Sequence, residues 1–261
     1  MNQSSSSPAW MLWVAILALL IGVGIGLAAL TASLGVWLGL WTFGTGFQIL
    51  GAVNPYTGWV AVVCLVDAIT LLALAQLWKT GTSVKLFSLA FIGALAASMA
   101  WYIPTTFRAP EGETYPPIHD VSTDIVNPVE YVDILPLRAD APNTVVYGGS
   151  PNMTPERLAE LQTEAFPDLV PRLLDATPDE VFERALAAVD AMGWELVAAV
   201  PEEGRIEATA TTFWFRFKDD VVIRIRPEGD QTRIDARSLS RVGGGDAGTN
   251  AKRLRAFFEI L

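Results

Sequence analysis

Charged side chains are almost absent from the first 107 residues of this 261-residue chain. Only Asp67, Lys79 and Lys85 carry a formal charge there, whereas residues 108–261 contain 27 acidic residues and 16 Lys or Arg, a net charge of −11. So apolar a stretch needs a nonpolar surrounding such as lipid, while the charged part suits water. The sequence therefore predicts two domains with a boundary near Pro104.

The apolar part contains three long runs of hydrophobic residues. Runs of about 18 or more such residues are typical of transmembrane helices. We therefore predict an anchor over residues 1–103, with spans at about 10–34, 59–78 and 84–103. The first run is too long for a cleaved signal peptide, and no Lys or Arg precedes it. The glycine- and aromatic-rich segment 35–57 is interpreted as an interfacial segment between two spans.

Two signals agree on the orientation of the anchor. Lys79 and Lys85 flank the short second loop, and the positive-inside rule assigns that loop to the cytoplasm. The N-terminus is then cytoplasmic as well, and the C-terminal domain is extracytoplasmic. Tryptophans prefer the two membrane interfaces, and with three spans they form an inner belt (Trp10, Trp13, Trp78) and an outer belt (Trp37, Trp41, Trp59, Trp101).

Three polar or small residues of the spans invite a functional interpretation. Gly22 and Gly26, one helical turn apart, favour close helix packing. Asp67 lies near the middle of the second span, where an acidic side chain is costly and often functional. It is either a proton or cation site of a transport-linked subunit, or a structural contact with Thr57, Thr70, a neighbouring helix or a partner.

The water-exposed part begins with an acidic, proline-rich segment, residues 104–177, with 12 Asp or Glu against 4 Lys or Arg. It contains one predicted helix at 155–165 with Thr154 as its N-cap, and we expect the segment to pack on the domain that follows. Thr177 as an N-cap and Pro178 at the first helical position predict the start of the next helix. Residues 178–261 predict an α+β domain with the order αββββα and an antiparallel sheet. The predicted strands are 194–200, 205–217 with a bulge near Thr211, 221–227 and 232–241, joined by tight turns at PEEG, KDD and EGD.

Several motifs of this domain are distinctive. FKDDVVIRI (217–225) and RSLSRVGGGDAGTNAKR (237–253) resemble the bacterial and plastid family called domain of unknown function 1499, and MGWELVA and RIEATATTFWFRF fit the same family. YPPIHDVSTD and GLWTFGTGFQIL resemble segments of its membrane-anchored members. The resemblance implies a membrane-anchored bacterial protein and brings no established activity. Other members carry a cysteine-containing segment near the domain start, which this chain lacks, so no thiol-based role carries over.

Catalytic and metal-binding constellations are hard to assemble from this sequence. Cys64, the only cysteine, lies in a predicted span, so neither a disulfide nor a Cys–His pair is expected. His119 is the only histidine, and a catalytic triad would require it to lie beside Ser238 or Ser240. His119 could also bind a metal together with Asp120 and Asp124. The commoner explanation for these two aspartates is that their carboxylates cap turns. Adjacent Asp219 and Asp220 are interpreted as turn residues. We expect no metal and no cofactor.

The arginines of the last two strands are more informative. Alternation places Arg224 and Arg226 on one face, and likewise Arg233 and Arg237, with Arg241 beyond. A glycine-rich turn at a helix N-terminus follows and can bind an anion through backbone N–H groups. The candidate anion site therefore comprises Arg237, Arg241, Gly243, Gly244, Gly245 and Asp246. The alternative is internal pairing, with Asp246 at the helix N-terminus and the arginines paired with Glu207, Asp235 and the acidic segment.

These features together predict a bacterial inner-membrane protein with a periplasmic binding or interaction domain in the cell envelope. The expected partners are the lipid bilayer and either an envelope protein or an anionic small molecule or lipid. The acidic domain argues against nucleic acid, because phosphate contacts need clustered positive charge. An envelope enzyme using Arg237, Arg241 and Asp246, or a transport-linked subunit using Asp67, are the alternatives, and catalysis is the less expected.

Overall fold

The computed structural model describes residues 7–109, 111 and 114–261 of the chain. The chain divides into two compact units, Met1–Arg108 and Ala109–Leu261. The first is helical and the second combines helices with an antiparallel sheet. The predicted α+β class with a three-helix N-terminal region is therefore confirmed.

Three apolar helices make up the first unit: α1 (Ala9–Trp37), α2 (Phe43–Leu77) and α3 (Ser83–Thr105). All three are long and apolar enough to cross a membrane. The segment 35–57, interpreted as an interfacial connection between two spans, is helical for most of its length, because α2 begins at Phe43 and runs through Pro55. At about 1.5 Å per residue its 35 residues extend about 52 Å, more than the roughly 30 Å of a bilayer's hydrocarbon core.

Small residues let these helices approach closely. A side-chain carbon added at Gly22 would overlap the backbone of Gly93, and one at Gly93 would overlap the backbone of Ala18. A side-chain carbon added at Gly26 would lie 3.2 Å from the Ala96 carbonyl oxygen, closer than an ordinary van der Waals contact. The close packing predicted from the Gly22 and Gly26 spacing is therefore present between α1 and α3.

The second unit contains three α-helices and six strands. Helix α5 starts where the sequence predicts, with a capping box in which Thr177 and Glu180 bond to each other's backbone N–H groups. The elements are β1 (Asp120–Ser122), α4 (Pro155–Ala165), β2 (Arg172–Leu174), α5 (Pro178–Ala191), β3 (Glu195–Val200), β4 (Arg205–Thr211), β5 (Lys218–Glu228), β6 (Gln231–Ser240) and α6 (Thr249–Ile260).

The sheet has the order β1-β6-β5-β4-β3, and β2 also pairs with β6. All pairs are antiparallel, as predicted. The acidic segment adds β1 and β2 to the four expected strands. One face carries Ile206, Ile223, Ile225, Ile234 and Ala236, which form the main core with α5 and α6.

Three local predictions are wrong. β4 ends at Thr211, so residues 212–217 form a loop rather than a continued strand. The register shift lies in β3, between Leu196 and Ala198, and not near Thr211. Asp219 and Asp220 lie inside β5 instead of a turn, because both carboxylates have buried partners that a turn could not offer.

Candidate functional site: the arginine face of the sheet

The face of the sheet opposite the main core is lined by charged side chains, and we call it the arginine face. Strand register places Arg205 opposite Arg224, Arg224 opposite Asp235, and Arg226 opposite Arg233. Residues directly opposite one another project to the same side of a sheet. The predicted sharing of one face by these arginines therefore holds in the structure, and the acidic segment covers that face.

Arg237 is the most buried cation of the arginine face, with a side chain 2% exposed. Its Nε and Nη2 donate to the two carboxylate oxygens of Asp120 at 2.9 and 2.7 Å. Further donations reach the carbonyls of Val129 and Val145, at 3.1 and 2.8 Å. Burial alone would lower the pKa of Arg237, but the charge and hydrogen bonds of Asp120 outweigh it and raise the pKa above its ordinary value.

Two aromatic rings complete the environment of Arg237. The guanidinium lies 5.1 Å from the ring centre of Tyr131 and 5.4 Å from that of Tyr147. Burial, as the main cause, raises the pKa of both phenols above its usual range. The Tyr131 hydroxyl donates to the carbonyl of Asp220 at 2.9 Å. The Arg237 guanidinium therefore has a bidentate carboxylate of the chain itself and two nearby aromatic rings as partners, and binding of an outside anion by Arg237 stays a prediction.

Asp220 is the second buried carboxylate of the arginine face. Arg241 binds it in a bidentate manner at 2.9 and 2.8 Å, and Arg138 donates to it at 2.5 Å. The Thr209 hydroxyl also donates to it at 2.8 Å. Arg241 is 14% exposed on its side chain and donates to the carbonyl of Leu137 as well. Arg138 lies in a short 3₁₀ turn of the acidic segment, and no local sequence pattern marks it as a partner of Asp220.

A third group pairs three arginines with two aspartates. Asp124 and Asp235 accept from Arg224 at 3.1 and 2.8 Å. Both also accept from Arg233, at 2.8 and 2.9 Å. The guanidinium of Arg226 lies farther off, 3.6 Å from Asp124 and 3.5 Å from Asp235. Asp124 additionally caps the turn that follows it, since its other oxygen accepts the N–H of residues 126 and 127.

Glu207, on β4, binds the acidic segment to the sheet. The carboxylate is fully buried and accepts the backbone N–H groups of Val132, Asp133 and Ile134 at 2.9, 3.2 and 2.8 Å. Arg205 pairs with it and with Asp133. The sequence predicted Glu207 as an internal partner of Arg237 and Arg241, whereas the cation that it pairs with is Arg205, and its backbone contacts are not visible in any local pattern. Together these bonds tie the segment to β4.

The glycine-rich turn before α6 is held by the chain itself. Asn143 donates to the carbonyls of Ser240 and Gly243 at 3.0 and 2.9 Å. Asp246 accepts the backbone N–H groups of Gly248 and Asn250, 2.9 and 2.8 Å away, and so occupies the N-terminus of α6. Burial, outweighing these bonds, raises the pKa of Asp246. Anion binding by Gly243, Gly244 and Gly245 with Arg241 stays a prediction.

A separate polar cluster lies on the helix-covered side and joins the two long motifs. Arg253 of α6 donates to Asp219 at 2.5 Å and also to Asn250. Asn250 accepts from Ser238 at 2.7 Å and donates to the Ser240 hydroxyl at 2.9 Å. Asp219 and Asp220 therefore pair with Arg253 and Arg241 on opposite faces of β5. The motif residues interlock the last strand and the last helix.

His119 does not join the groups considered for a triad or a metal site. Its Nε2 lies 3.3 Å from the Ser150 hydroxyl, whereas Asp120 and Asp124 are engaged by arginines. Its contact with Ser240 is through backbone atoms only. In the described ranges 7–109, 111 and 114–261, no group of three His, Cys, Asp or Glu side chains is arranged to hold a metal ion.

Asp67 lies beside the seam of α2 that packs on the other two helices. Its neighbours Cys64, Ala68 and Leu71 are buried, and Asp67 itself is half-buried. Thr57, one suggested partner, donates to the carbonyl of residue 54 instead. Among the residues that the structure describes, none forms a hydrogen bond or ion pair with the Asp67 carboxylate.

The fold and this site define a class of chain: three helices apolar enough to cross a membrane, followed by an α+β domain whose charged sheet face is covered by its own acidic segment. Residues 135–261 match the model of the family described as "Protein of unknown function (DUF1499)", so this domain of the chain belongs to that family. The family recognised from the two long motifs is thereby confirmed. No curated protein matches the chain.

Proposed function

We propose that this chain is a bacterial inner-membrane protein whose periplasmic domain acts in the cell envelope by binding rather than by catalysis. The observation that carries the proposal is the edge of the sheet. Within the described part of the chain, β3 pairs with β4 on one side and with no strand on the other. All six of its residues are exposed or half-buried, and Leu196 is 48% exposed.

An open edge of this kind favours the addition of a strand from a partner. Main-chain N–H and C=O groups supply the affinity, and alternate side chains supply the specificity. The arginine face supports this function, because an ion pair joins β5 to β6 and Glu207 ties β4, the neighbour of the edge strand, to the acidic segment. The proposed partner is an extended segment of an envelope protein.

The binding proposal is tested with a photo-reactive residue at Leu196 in the full chain in cells. A control probe replaces Val170, a loop residue that is 55% exposed. The expected result is a discrete cross-linked product from position 196 that position 170 does not give. Ala199→Lys, a charge on the exposed edge, should remove that product without changing the melting temperature. Identical products from both positions, or no effect of Ala199→Lys, would refute edge binding.

The proposed orientation rests on Lys79 and Lys85 in the short connection between α2 and α3. If that connection is cytoplasmic and each helix spans once, the C-terminus is in the periplasm. Alkaline phosphatase fused after Leu261 should be active, and the same enzyme inserted after Thr82 should be inactive. A cytoplasmically folding fluorescent protein should show the opposite pattern. An active insertion after Thr82 would reverse the orientation.

A second candidate, a transport-linked subunit, is favoured by Asp67 alone. A half-buried carboxylate in a span is costly unless a partner or a cation meets it. Asp67→Asn removes the charge and keeps the shape. Loss of a proton- or ion-dependent phenotype at normal protein levels would support this candidate, whereas an unchanged phenotype would leave binding by the periplasmic domain as the function.

A further inference from the structure

The connection between β4 and β5 is an unusually aromatic loop. Residues 212–217 read Thr-Phe-Trp-Phe-Arg-Phe, so four of its six side chains are aromatic. Two hydrogen bonds between Thr212 and Phe217 close the loop: Thr212 N–H donates to the carbonyl of Phe217 at 2.8 Å, and Phe217 N–H donates to the Thr212 side-chain hydroxyl at 2.9 Å. Arg216 adopts a φ of 54°, a left-handed conformation that is rare outside glycine. The shape of the loop is thus set by its own main chain.

The aromatic side chains are presented outward. Phe213 is 65% exposed, and Trp214, Phe215 and Phe217 are only half-buried. The rings pack in neighbouring pairs, with centroids 5.1 Å apart for Phe213 and Trp214 and 5.8 Å apart for Phe215 and Phe217. A cluster of large aromatic side chains at the tip of a hairpin marks an interaction surface rather than a solvated turn.

The charge at this tip differs from that of the domain around it. Residues 108–261 carry a net charge of −11, yet the seven residues 212–218 contain Arg216 and Lys218 and no acid. Thr211, the residue before the loop, lines a surface pocket together with a further basic side chain, Lys252. The tip is therefore a small positive and aromatic region on an acidic domain.

We propose that the loop 212–217 docks on the surface of an anionic lipid bilayer. Aromatic rings favour the headgroup region, where one part of the ring is apolar and another is wet. Arginine and lysine beside them favour anionic lipid. The domain belongs to the same chain as three candidate spans, so the loop meets a bilayer at high effective concentration. Docking would hold the domain in one orientation and is independent of binding at β3.

The test uses the full chain in nanodiscs, with a nitroxide spin label at position 213. Cys64→Ser removes the only native cysteine, and Phe213→Cys then provides the labelling site. A second label at Val146, which is 64% exposed against 65% for Phe213, is the matched control. Collision with oxygen reports immersion in lipid, and collision with a water-soluble nickel chelate reports exposure to water.

In nanodiscs with phosphatidylglycerol, the label at 213 should collide more with oxygen and less with nickel than the label at 146. The double substitution Arg216→Glu and Lys218→Glu should remove this difference between the two labels. It should lower the ratio of docked to undocked protein by about fivefold for each positive charge lost. Equal nickel access at both labels would overturn the proposal. Low nickel access at position 213 that persists in lipid-free amphipol would also overturn the proposal, because protein and not lipid would then shield the label.

Discussion

The helical unit and the sheet unit of this chain are packed through different kinds of residue. In the helical unit, Gly22 of α1 lies against the backbone of Gly93 in α3, and the contacts are made by small uncharged side chains. In the sheet unit, the burial of Arg237 against Asp120 joins two strands by a bidentate ion pair. Lipid already solvates apolar side chains, so helices in a bilayer gain mainly from close approach. In water, the apolar core supplies the drive, and buried charges must find partners.

The difference teaches where each unit is vulnerable. Close backbone packing fails when volume is added, whereas a buried ion pair fails when one partner is removed. The strain in the first case is steric, and the cost in the second is an uncompensated charge in a medium of low dielectric constant. Substitutions in each unit can therefore sharpen or break the contrast.

The largest effect is expected for Arg237→Ala. It leaves the Asp120 carboxylate buried without its cation, which should lower the free energy of unfolding of the domain by about 3–5 kcal/mol. Arg157→Ala is the control, because Arg157 is 53% exposed and, among the described residues, its ion pair is with exposed Glu160. Thermal and denaturant unfolding of both variants measures the difference. Equal free energies of unfolding for the two variants would show that the Arg237–Asp120 ion pair does not stabilise the domain more than an exposed pair does.

Adding volume at Gly22 should have the next largest effect. Gly22→Leu drives a side chain into the Gly93 backbone, and we expect a loss of about 3 kcal/mol, the upper end for overpacking. Gly24→Leu is the control and should be nearly neutral, because Gly24 is exposed and a side-chain carbon added there meets no atom within 4 Å. Loss of helicity in mixed detergent micelles with increasing dodecyl sulfate measures both. If Gly24→Leu were as damaging as Gly22→Leu, the α1–α3 contact would not explain the result.

One glycine of the sheet unit tests whether close approach matters there too. Gly204 joins β3 to β4 with a φ of +61°, and an added carbon would overlap the Ile225 carbonyl. Gly204→Ala should cost about 2 kcal/mol, from both backbone strain and that overlap. Gly193→Ala shares the left-handed φ but meets no neighbour, so it isolates the strain. Denaturant midpoints should rank Gly204→Ala as the less stable variant.

The smallest effect concerns an exposed ion pair. Hydrogen bonding by Arg255, chiefly, lowers the pKa of Asp168, whose side chain is 53% exposed. Because the folded pKa is depressed, the stabilisation is present above the unfolded pKa and is lost as pH falls through the folded value. Asp168→Asn should cost less than about 1 kcal/mol at neutral pH and nothing at strongly acidic pH. Melting temperatures of the wild type and Asp168→Asn across the acidic pH range test this. A destabilisation by Asp168→Asn that grows as pH falls would contradict the prediction.

Local patterns were sufficient for much of the fold. The Thr154 and Thr177 caps predicted the starts of α4 and α5, because a cap acts on the residues next to it in sequence. Alternation predicted which residues of β5 and β6 share a face. The loop at 212–217 was predicted as strand, since aromatic residues favour strands, and only the bond pattern of Thr212 and Phe217 shows the turn.

What the sequence by itself determined is the division into an apolar and a charged part, three helices, and a sheet with one arginine-rich face. Those features depend on composition and on periods of two or 3.6 residues, which are local. Tertiary structure alone decided that Arg237 meets Asp120, 117 residues away, and that Asp220 receives both Arg138 and Arg241. Charge pairing of this kind depends on which segments the fold brings together, and any of the 28 acidic residues was eligible before folding.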